Sequence, residues 1–336
     1  MRKVFICYTP YHIYQAVLKS IELNEKENTI IITDHLKHSN FFFETLKKAE
    51  IFHKVIFVPE MQITNSLNNK SLYKKIFKRK ALLVDLFSEF GIIERLEKDH
   101  IFLFLDTRYL SALAIYVNRG KITLMEDGKF TYLVPKITIK ERVKNLVYKL
   151  DSPYGRHKEI KEIEVLNPSE LPKDIIFKSK KFPLDKITED LKQEQKDNIL
   201  SIFINKEQIS FDKSQKKMLL ITQPLSENNW ISEEKKIELY EEILNEHGEG
   251  HQVFIKTHPR ENTNYSAVFG HKITLLPQEF PLEILTLIKD AEFSKAVTID
   301  SSALYNLKKV KEKVYLGYHY DNELYKNVST IVDLKK

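Results

Sequence analysis

Short apolar segments alternate with helical segments along this chain, and this alternation restricts the fold more than any other feature. In the first half, segments typical of β-strands cover residues 3–7, 28–33, 54–58, 101–105 and 121–125. The segments between them have helical periodicity, and Thr9 followed by Pro10 fits the N-cap and first residue of the first helix. Strands of this length that alternate with helices predict a parallel, doubly wound α/β sheet.

A second series of the same kind occupies the end of the chain. Its strand segments cover residues 217–222, 252–256, 272–276, 296–299 and 313–316. Between the two series the pattern is lost among prolines and charged residues, which are typical of a linker. We therefore predict two Rossmann-like domains facing a central cleft, over residues 1–155 and 185–336, joined by a linker or excursion over 156–184. A length of 336 residues agrees with two domains.

One strand of the second series stops at a histidine followed by a proline. Proline lacks an N–H and keeps the preceding residue extended, so His258 before Pro259 is expected where the strand ends. In an open α/β sheet such ends face the ligand crevice. Lys256 and Arg260 add positive charge on either side, which suits a phosphate. The alternative is a histidine that only caps backbone groups.

Two serines follow the predicted strand at 296–299. Ser301 and Ser302 precede a helical segment, where free backbone N–H groups favour anions, although a plain N-cap pair is the simpler interpretation. Glu283 lies on a predicted helix that begins at Pro281. It is interpreted either as a surface residue or as an acceptor for the two hydroxyls of a ribose.

Two adjacent carboxylates end the fifth strand of the first series, at Glu126 and Asp127, and Gly128 permits a tight turn after them. Neighbouring side chains point in different directions there, so one can reach the cleft while the other binds backbone amides. A carboxylate in a partly desolvated cleft can take a proton from a hydroxyl nucleophile. The alternative is an ordinary acidic turn.

The motifs of several common enzyme classes do not occur in the sequence. It contains no glycine-rich dinucleotide fingerprint, no P-loop and no His-Glu-x-x-His motif. Its one cysteine, Cys7, excludes an internal disulfide and a cysteine cluster for zinc, and its apolar surroundings predict a buried structural thiol. Rossmann dehydrogenases and P-loop NTPases therefore lose their best evidence, and the sequence shows no clustered spacing of metal ligands.

The composition is that of a soluble globular protein, with 42% hydrophobic residues and a net charge of +6. No apolar run approaches the ~20 residues of a membrane span, and the start of the chain enters a strand without a signal peptide. A cytoplasmic location is expected. Basic clusters at 74–80 and 140–144 indicate peripheral contact with the inner face of the membrane, nucleic acid binding or simply solvated faces.

Taken in order, these motifs resemble those of the bacterial sialyltransferases of GT-B fold. The set comprises Glu-Asp-Gly at 126–128, Lys-x-His-Pro at 256–259, Pro-x-Glu-Ile-Leu at 281–285 and Ser-Ser at 301–302. The opening Tyr-Thr-Pro-Tyr-His at 8–12 is most similar to glycosyltransferase family 52, the lipooligosaccharide and capsule sialyltransferases. Each motif is short, but together they span nearly the whole chain.

The resemblance implies a role for each matching residue. Glu126 would be the general base on the acceptor hydroxyl, with Asp127 supporting it or exchanging roles, because the motif begins with Glu where many relatives have Asp. In the C-terminal domain His258 would contact the CMP phosphate and stabilise or protonate it, with Lys256 and Pro259 beside it. Ser301 and Ser302 would hold the same phosphate and Glu283 the cytidine ribose. Thr9, Pro10 and Tyr11 would lie on the acceptor side.

The function implied is inverting, metal-independent transfer of sialic acid from CMP-sialic acid to a galactose-terminated cell-surface glycan or glycolipid. A GT-B transferase that uses a UDP-sugar or CDP-glycerol is the nearest alternative. A non-catalytic protein that binds nucleotides or nucleic acid is the alternative from another class, although the aromatic residues form no base-stacking pattern. The favoured partners are a nucleotide sugar and a glycan, without nucleic acid. The acceptor, the linkage and the oligomeric state, with a homodimer among the alternatives, stay open.

Overall fold

The computed structural model describes residues 2–67, 78–132, 134, 153–204, 209, 211–212, 214–278, 280–301 and 303–329. The chain forms two compact units that divide between Phe203 and Ile204. No helix in the described part of the chain combines the length and the apolar character needed to cross a membrane.

Seven strands of the first unit form one parallel sheet in the order β3-β2-β1-β4-β5-β6-β7. Their bounds are β1 Lys3–Cys7, β2 Thr29–Thr33, β3 Lys54–Val58, β4 His100–Leu103, β5 Ile122–Met125, β6 Ile160–Val165 and β7 Ser179–Lys181. Every residue of β1, β2, β4 and β5 is buried, as expected where helices cover both faces of a parallel sheet. The predicted doubly wound sheet is confirmed.

The described α-helices of this unit connect its strands or follow β7. They are α1 Pro10–Leu23, α2 Ser39–Ala49, α3 Glu60–Leu67, α4 Arg79–Phe87, α5 Ile93–Lys98, α6 Tyr109–Val117, α7 Leu184–Asp190 and α8 Gln193–Phe203. Helix α1 begins as predicted, because the Thr9 side chain accepts a hydrogen bond from the N–H of His12 and Pro10 occupies the first turn. Both basic clusters extend outside the described residues, at 74–77 and throughout 140–144.

The second unit contains a five-stranded parallel sheet in the order β10-β9-β8-β11-β12. Its strands are β8 Lys217–Ile221, β9 Gln252–Lys256, β10 Ile273–Leu276, β11 Phe293–Thr298 and β12 Val310–Tyr315. The described α-helices are α9 Glu233–His247, α10 Tyr265–Phe269, α11 Ala303–Asn306 and α12 Asn322–Ser329. Ser232 caps α9 through a bond from the N–H of Lys235.

The observed boundary between the units differs from the predicted one. Residues 156–184, expected to be a linker, contain β6 and β7, which extend the first sheet. The charged residues of this segment, which favoured a linker, form ion pairs instead: Glu164 pairs with Lys19 of α1 at 2.7 Å, and Glu162 pairs with Lys121 at 2.9 Å. The first unit therefore continues to Phe203. The helix predicted to begin at Pro281 is a 3₁₀ turn over Leu282–Thr286.

A carboxylate clamp holds the chain where it returns to the sheet before β6. Asp106, just after β4, accepts hydrogen bonds from the N–H groups of Tyr154 at 2.9 Å and Gly155 at 2.8 Å. Gly155 has a φ of +80°, and a Cβ there would lie 2.6 Å from Cδ1 of Ile163, so glycine alone fits without a shift of that side chain.

We expect Asp106→Ala to lower the free energy of unfolding of the first unit by about 2 kcal/mol or more, since two backbone donors lose their acceptor. Urea unfolding measures the change. Asp34→Ala is the matched control: Asp34 caps the start of α3 through solvent-exposed bonds from the N–H groups of Met61 and Gln62. A cap is worth about 1 kcal/mol, so equal losses in the two variants would contradict the clamp.

Candidate active site

The carboxyl ends of β1 and β5 bring three polar residues together in the first unit. Glu126 and Asp127 directly follow β5, and His12 lies in the first turn of α1 after β1. Nε2 of His12 is 2.5 Å from Oδ1 of Asp127, although the residues are 115 positions apart in the sequence. The two predicted carboxylates are therefore joined by a histidine that the predicted site did not include.

Asp127 is the more accessible of the two carboxylates. Its side chain is 21% exposed, whereas the Glu126 residue is 2% exposed. The N–H of Asp127 donates to Oγ1 of Thr131 at 2.8 Å, which fixes the main chain of the turn after β5. A carboxylate with a fixed backbone and an exposed face can meet a hydroxyl group from solvent.

The Glu126 carboxylate instead binds the structure around it. Its Oε2 accepts hydrogen bonds from the hydroxyl of Tyr132 and from the N–H of Leu166, the latter at 2.8 Å. Its carbonyl oxygen accepts from Nε2 of Gln15 at 2.7 Å. Burial raises the pKa of the Glu126 carboxyl, and the bonds from Tyr132 and Leu166 oppose that rise. These contacts join the end of β5 to the end of β6.

The residues predicted on the acceptor side lie at the same edge of the sheet. Thr9, Pro10 and Tyr11 form the cap and first turn of α1 and are half-buried. They are adjacent in sequence to His12, whose side chain is fully buried. The start of α1 therefore connects them to the Asp127 carboxylate.

Two cavities of the first unit lie at opposite edges of its sheet. A narrow cavity of about 20 Å³ is lined by Asp106, Asp127 and Thr131 among others, and it has room for little more than a water molecule. A wider cavity of about 890 Å³ is lined by Asn24 and Glu50, which end α1 and α2 at the amino edge. The wider cavity contains none of the predicted site residues.

In the second unit, His258 is positioned after the end of β9 by a buried glutamate. The N–H of His258 donates to Oε1 of Glu261 at 2.7 Å. Glu261 also accepts hydrogen bonds from the hydroxyls of Thr222 and Tyr265, each at 2.7 Å. Nδ1 of His258 accepts from the N–H of Arg260 at 3.1 Å, so the neutral ring carries its proton on Nε2.

The surroundings of His258 disfavour its charged form. Burial, followed by the positive charges of Arg260 and Lys256, lowers the pKa of His258 to about 4. The imidazole is therefore neutral near pH 7 and presents an Nε2–H donor. An anion bound beside it would offset the nearby positive charges and favour the protonated ring.

Lys256 is largely buried and directed toward backbone oxygens. Its Nζ donates to the carbonyls of Thr257 at 2.8 Å and Gln278 at 3.4 Å and lies 5.6 Å from the ring centre of Phe280. Nε2 of Gln278 donates to the carbonyl of His258 at 2.8 Å. Lys256 thus contributes a fixed positive charge close to His258.

The remaining predicted residues have different surroundings. Pro259 is exposed beside His258. The N–H of Ser301 donates to Oγ1 of Thr298 at 3.2 Å, just past the end of β11. Glu283 lies in the 3₁₀ turn Leu282–Thr286, and its carbonyl accepts from Thr286 at 2.7 Å. Ser302 lies outside the described residues.

The sequence profile of glycosyltransferase family 52 matches residues 25–318, which include Glu126, Asp127, His258 and Ser301. The chain belongs to this family. The predicted family is therefore confirmed.

Known proteins provide two further comparisons. An uncharacterized protein of Haemophilus influenzae is 28% identical over 210 residues, which are 62% of this chain and 66% of the relative, just under two thirds of its length. The α/β-galactoside α-2,3-sialyltransferase of Photobacterium phosphoreum is 16% identical, with a TM-score of 0.57 over 99% of this chain and 96% of that one. This likeness supports the predicted GT-B class of fold. The UDP-GlcNAc 2-epimerase of Neisseria meningitidis is 12% identical, with a TM-score of 0.49 over 90% and 79% of the chains.

The structure adds His12, Tyr132, Glu261 and Gln278 to the predicted residues. His12 ends the motif Tyr-Thr-Pro-Tyr-His at 8–12 and lies three residues after an N-cap, which were the available signals for it. Glu261 lies three residues after His258, but its neighbours suggest only a charged turn. Tyr132 bonds Glu126 six residues earlier and Asn167 beyond β6, and the acceptors of the Gln278 side chain lie 17 and 20 residues before it, so no familiar short motif marks either residue.

The lowered pKa of His258 predicts a pH-dependent contribution to stability. The unfolded chain takes up this proton near pH ~6.5, while the folded chain takes it up only near pH 4. Wild type should therefore lose stability relative to His258→Asn as the pH falls from 6.5 toward 4. Urea unfolding of both proteins at several pH values measures this difference. A difference that stays constant with pH would contradict the burial of a neutral ring.

Proposed function

We propose that this chain is an inverting, metal-independent sialyltransferase that moves sialic acid from CMP-sialic acid to a hydroxyl of a cell-surface glycan. A lipooligosaccharide or capsule glycan with a terminal galactose is the proposed acceptor. Membership of family 52 and the ordered motifs support a glycosyltransferase of this kind. The sialyltransferase of Photobacterium phosphoreum has a similar fold, and this similarity supports the fold alone.

The observation that carries the proposal is the Asp127 carboxylate. It is partly exposed at the carboxyl edge of the first sheet, and His12 holds one of its oxygens. Glu126 is buried with bonds from Tyr132 and Leu166. We therefore assign the general base to Asp127, and to Glu126 the support of the turn that carries it. The resemblance to family 52 sialyltransferases had instead favoured Glu126 as the base and Asp127 as its support.

The proposed reaction is a single displacement at the anomeric carbon of sialic acid. The acceptor oxygen forms a bond to that carbon while Asp127 takes the hydroxyl proton. The bond from the anomeric carbon to the phosphate oxygen breaks, and its electron pair leaves with CMP. Attack opposite to the leaving group inverts the anomeric centre. The enzyme contributes chiefly by positioning the reactants and by matching charge in an oxocarbenium-like transition state.

The donor side of this proposal belongs to the second unit. His258 presents Nε2–H to the CMP phosphate, and the fixed charge of Lys256 favours the same anion. Ser301 and Ser302 provide further donors to the phosphate, Pro259 shapes the turn, and Glu283 binds the ribose hydroxyls. A monophosphate leaving group can be neutralised by these residues, so the proposal requires neither a metal ion nor another cofactor.

The proposed location of the protein follows from the proposed substrates. A nucleotide-sugar donor implies work in the cytoplasm, and a glycolipid acceptor implies contact with the inner face of the cytoplasmic membrane. The excess of positive charge would favour an anionic lipid surface.

The first test is CMP release from CMP-sialic acid with lactose as acceptor. We expect turnover to persist in EDTA and to fall about 10²- to 10⁴-fold in Asp127→Asn, the range for a general base. Glu126→Gln keeps the size of the side chain and should cost less than Asp127→Asn. If Glu126→Gln lost activity while Asp127→Asn kept full activity, Glu126 would be the general base instead. Inactive but folded wild type, tested with several galactose-terminated acceptors, would refute the function.

A thermal-shift series separates the alternative donors. CMP should raise the melting temperature of wild type, and the rise should be smaller in His258→Asn, whose side chain is too short to place an N–H at the position of Nε2. Stabilisation by CDP or UDP without any effect of CMP would favour a UDP-sugar or CDP-glycerol enzyme. Stabilisation by no nucleotide, with salt-sensitive binding to nucleic acid, would favour the non-catalytic alternative.

A further inference from the structure

His12 has a hydrogen-bond arrangement that packing alone does not explain. Its side chain is fully buried and its ring stacks on Phe104, with centres 4.6 Å apart and planes 10° from parallel. Any flat apolar side chain could make that stack. The ring nevertheless directs Nε2 to the partly exposed carboxylate of Asp127.

The backbone determines which ring nitrogen of His12 carries the proton. The N–H of Tyr8, at the end of β1, donates to Nδ1 of His12 at 3.2 Å. A neutral imidazole whose Nδ1 accepts a hydrogen bond carries its proton on Nε2. Nε2–H therefore donates to Oδ1 of Asp127 at 2.5 Å. The end of β1 thus fixes the direction of a donor aimed at the end of β5.

Two contacts restrain Asp127, one at its backbone and one at its carboxylate. The N–H of Asp127 is bonded to Thr131, and Oδ1 is bonded to His12. Within the described residues, this carboxylate accepts one hydrogen bond, from His12 to Oδ1. Oδ2 is therefore left for a hydroxyl group of a substrate. A base held in one orientation loses less freedom when the reactants meet.

We propose that His12 is a positioning residue, which holds the Asp127 carboxylate so that Oδ2 takes the proton of the acceptor hydroxyl. This inference rests on the proposed function. The proton moves from the acceptor oxygen to Asp127, and the ring of His12 keeps its own proton on Nε2 throughout. His12 contacts neither substrate, so its effect is on turnover rather than on binding.

Three substitutions distinguish positioning from packing. His12→Gln places an amide N–H close to the position of Nε2, and His12→Asn is one methylene too short to reach it. His12→Phe keeps a ring against Phe104 and removes the donor. If His12 positions Asp127, the Gln variant retains the most activity. If His12 serves only as packing, the Phe variant retains the most.

The expected result is a fall in kcat of about 10- to 100-fold in His12→Asn and His12→Phe, the range for a hydrogen bond to a charged group. His12→Gln should stay within about tenfold of wild type. KM for CMP-sialic acid and the thermal shift produced by CMP should change little, since the proposed nucleotide residues lie in the second unit. Unchanged thermal shifts also show that each variant is folded.

His100 provides the matched control. It is another buried histidine of the first sheet, stacks on Phe102 at 4.3 Å and bonds Oγ1 of Thr123 at 2.9 Å. It lies at the amino end of β4, away from the carboxyl edge that carries Asp127. His100→Gln and His100→Phe should keep kcat within about threefold of wild type.

A double-mutant cycle completes the test. In an Asp127→Asn background, His12→Asn should cause little further loss, because the group that it positions is already absent. Independent, multiplying losses would overturn the inference, as would full kcat in His12→Phe or equal losses in the His100 variants. Wild type that releases no CMP would overturn the proposed donor instead. The same variants would then be compared with whichever nucleotide sugar supports turnover, and the inference falls if none does.

Discussion

The parallel pairing of the strands is the constraint on which the candidate site depends. Every described pairing in both sheets is parallel, so all strands of a sheet end at the same edge. At that edge the chain leaves the sheet, so polar side chains there do not have to be buried between the sheet and its helices. His12 and Asp127 meet there because β1 and β5 each flank β4. His258 and Thr222 follow the adjacent strands β9 and β8, and both donate to Oε1 of Glu261.

Backbone N–H groups set the chemistry of both candidate histidines. Tyr8 donates to Nδ1 of His12, and Arg260 donates to Nδ1 of His258, so each neutral ring presents Nε2–H. The role of each ring then depends on the charge beside it. His12 directs its donor to a carboxylate, whereas His258 is surrounded by the positive charges of Arg260 and Lys256, which suit an anionic ligand. The same backbone contact therefore orients a donor toward the proposed base in one unit and toward the proposed anion site in the other.

The sequence was informative wherever the signal is local. Strand periodicity predicted the cores of both sheets, and Thr9 could be assigned as a cap because a cap acts within three residues. The linker predicted at 156–184 was wrong, since charged residues that pair with distant parts of the chain look the same in a sequence as charged residues in water. The pair formed by His12 and Asp127 has no local signature at all. Only the strand order brings these residues together.

The division of roles between Glu126 and Asp127 follows from the direction in which each side chain leaves the end of β5. Adjacent side chains at a strand end diverge, so the motif predicts that one faces inward but does not identify which. The longer Glu126 side chain reaches the N–H of Leu166 beyond β6, and this contact ties two neighbouring strand ends together. Asp127 then occupies the exposed position with its backbone already fixed by Thr131. The buried carboxylate thus stabilises the turn, and the exposed one is available for chemistry.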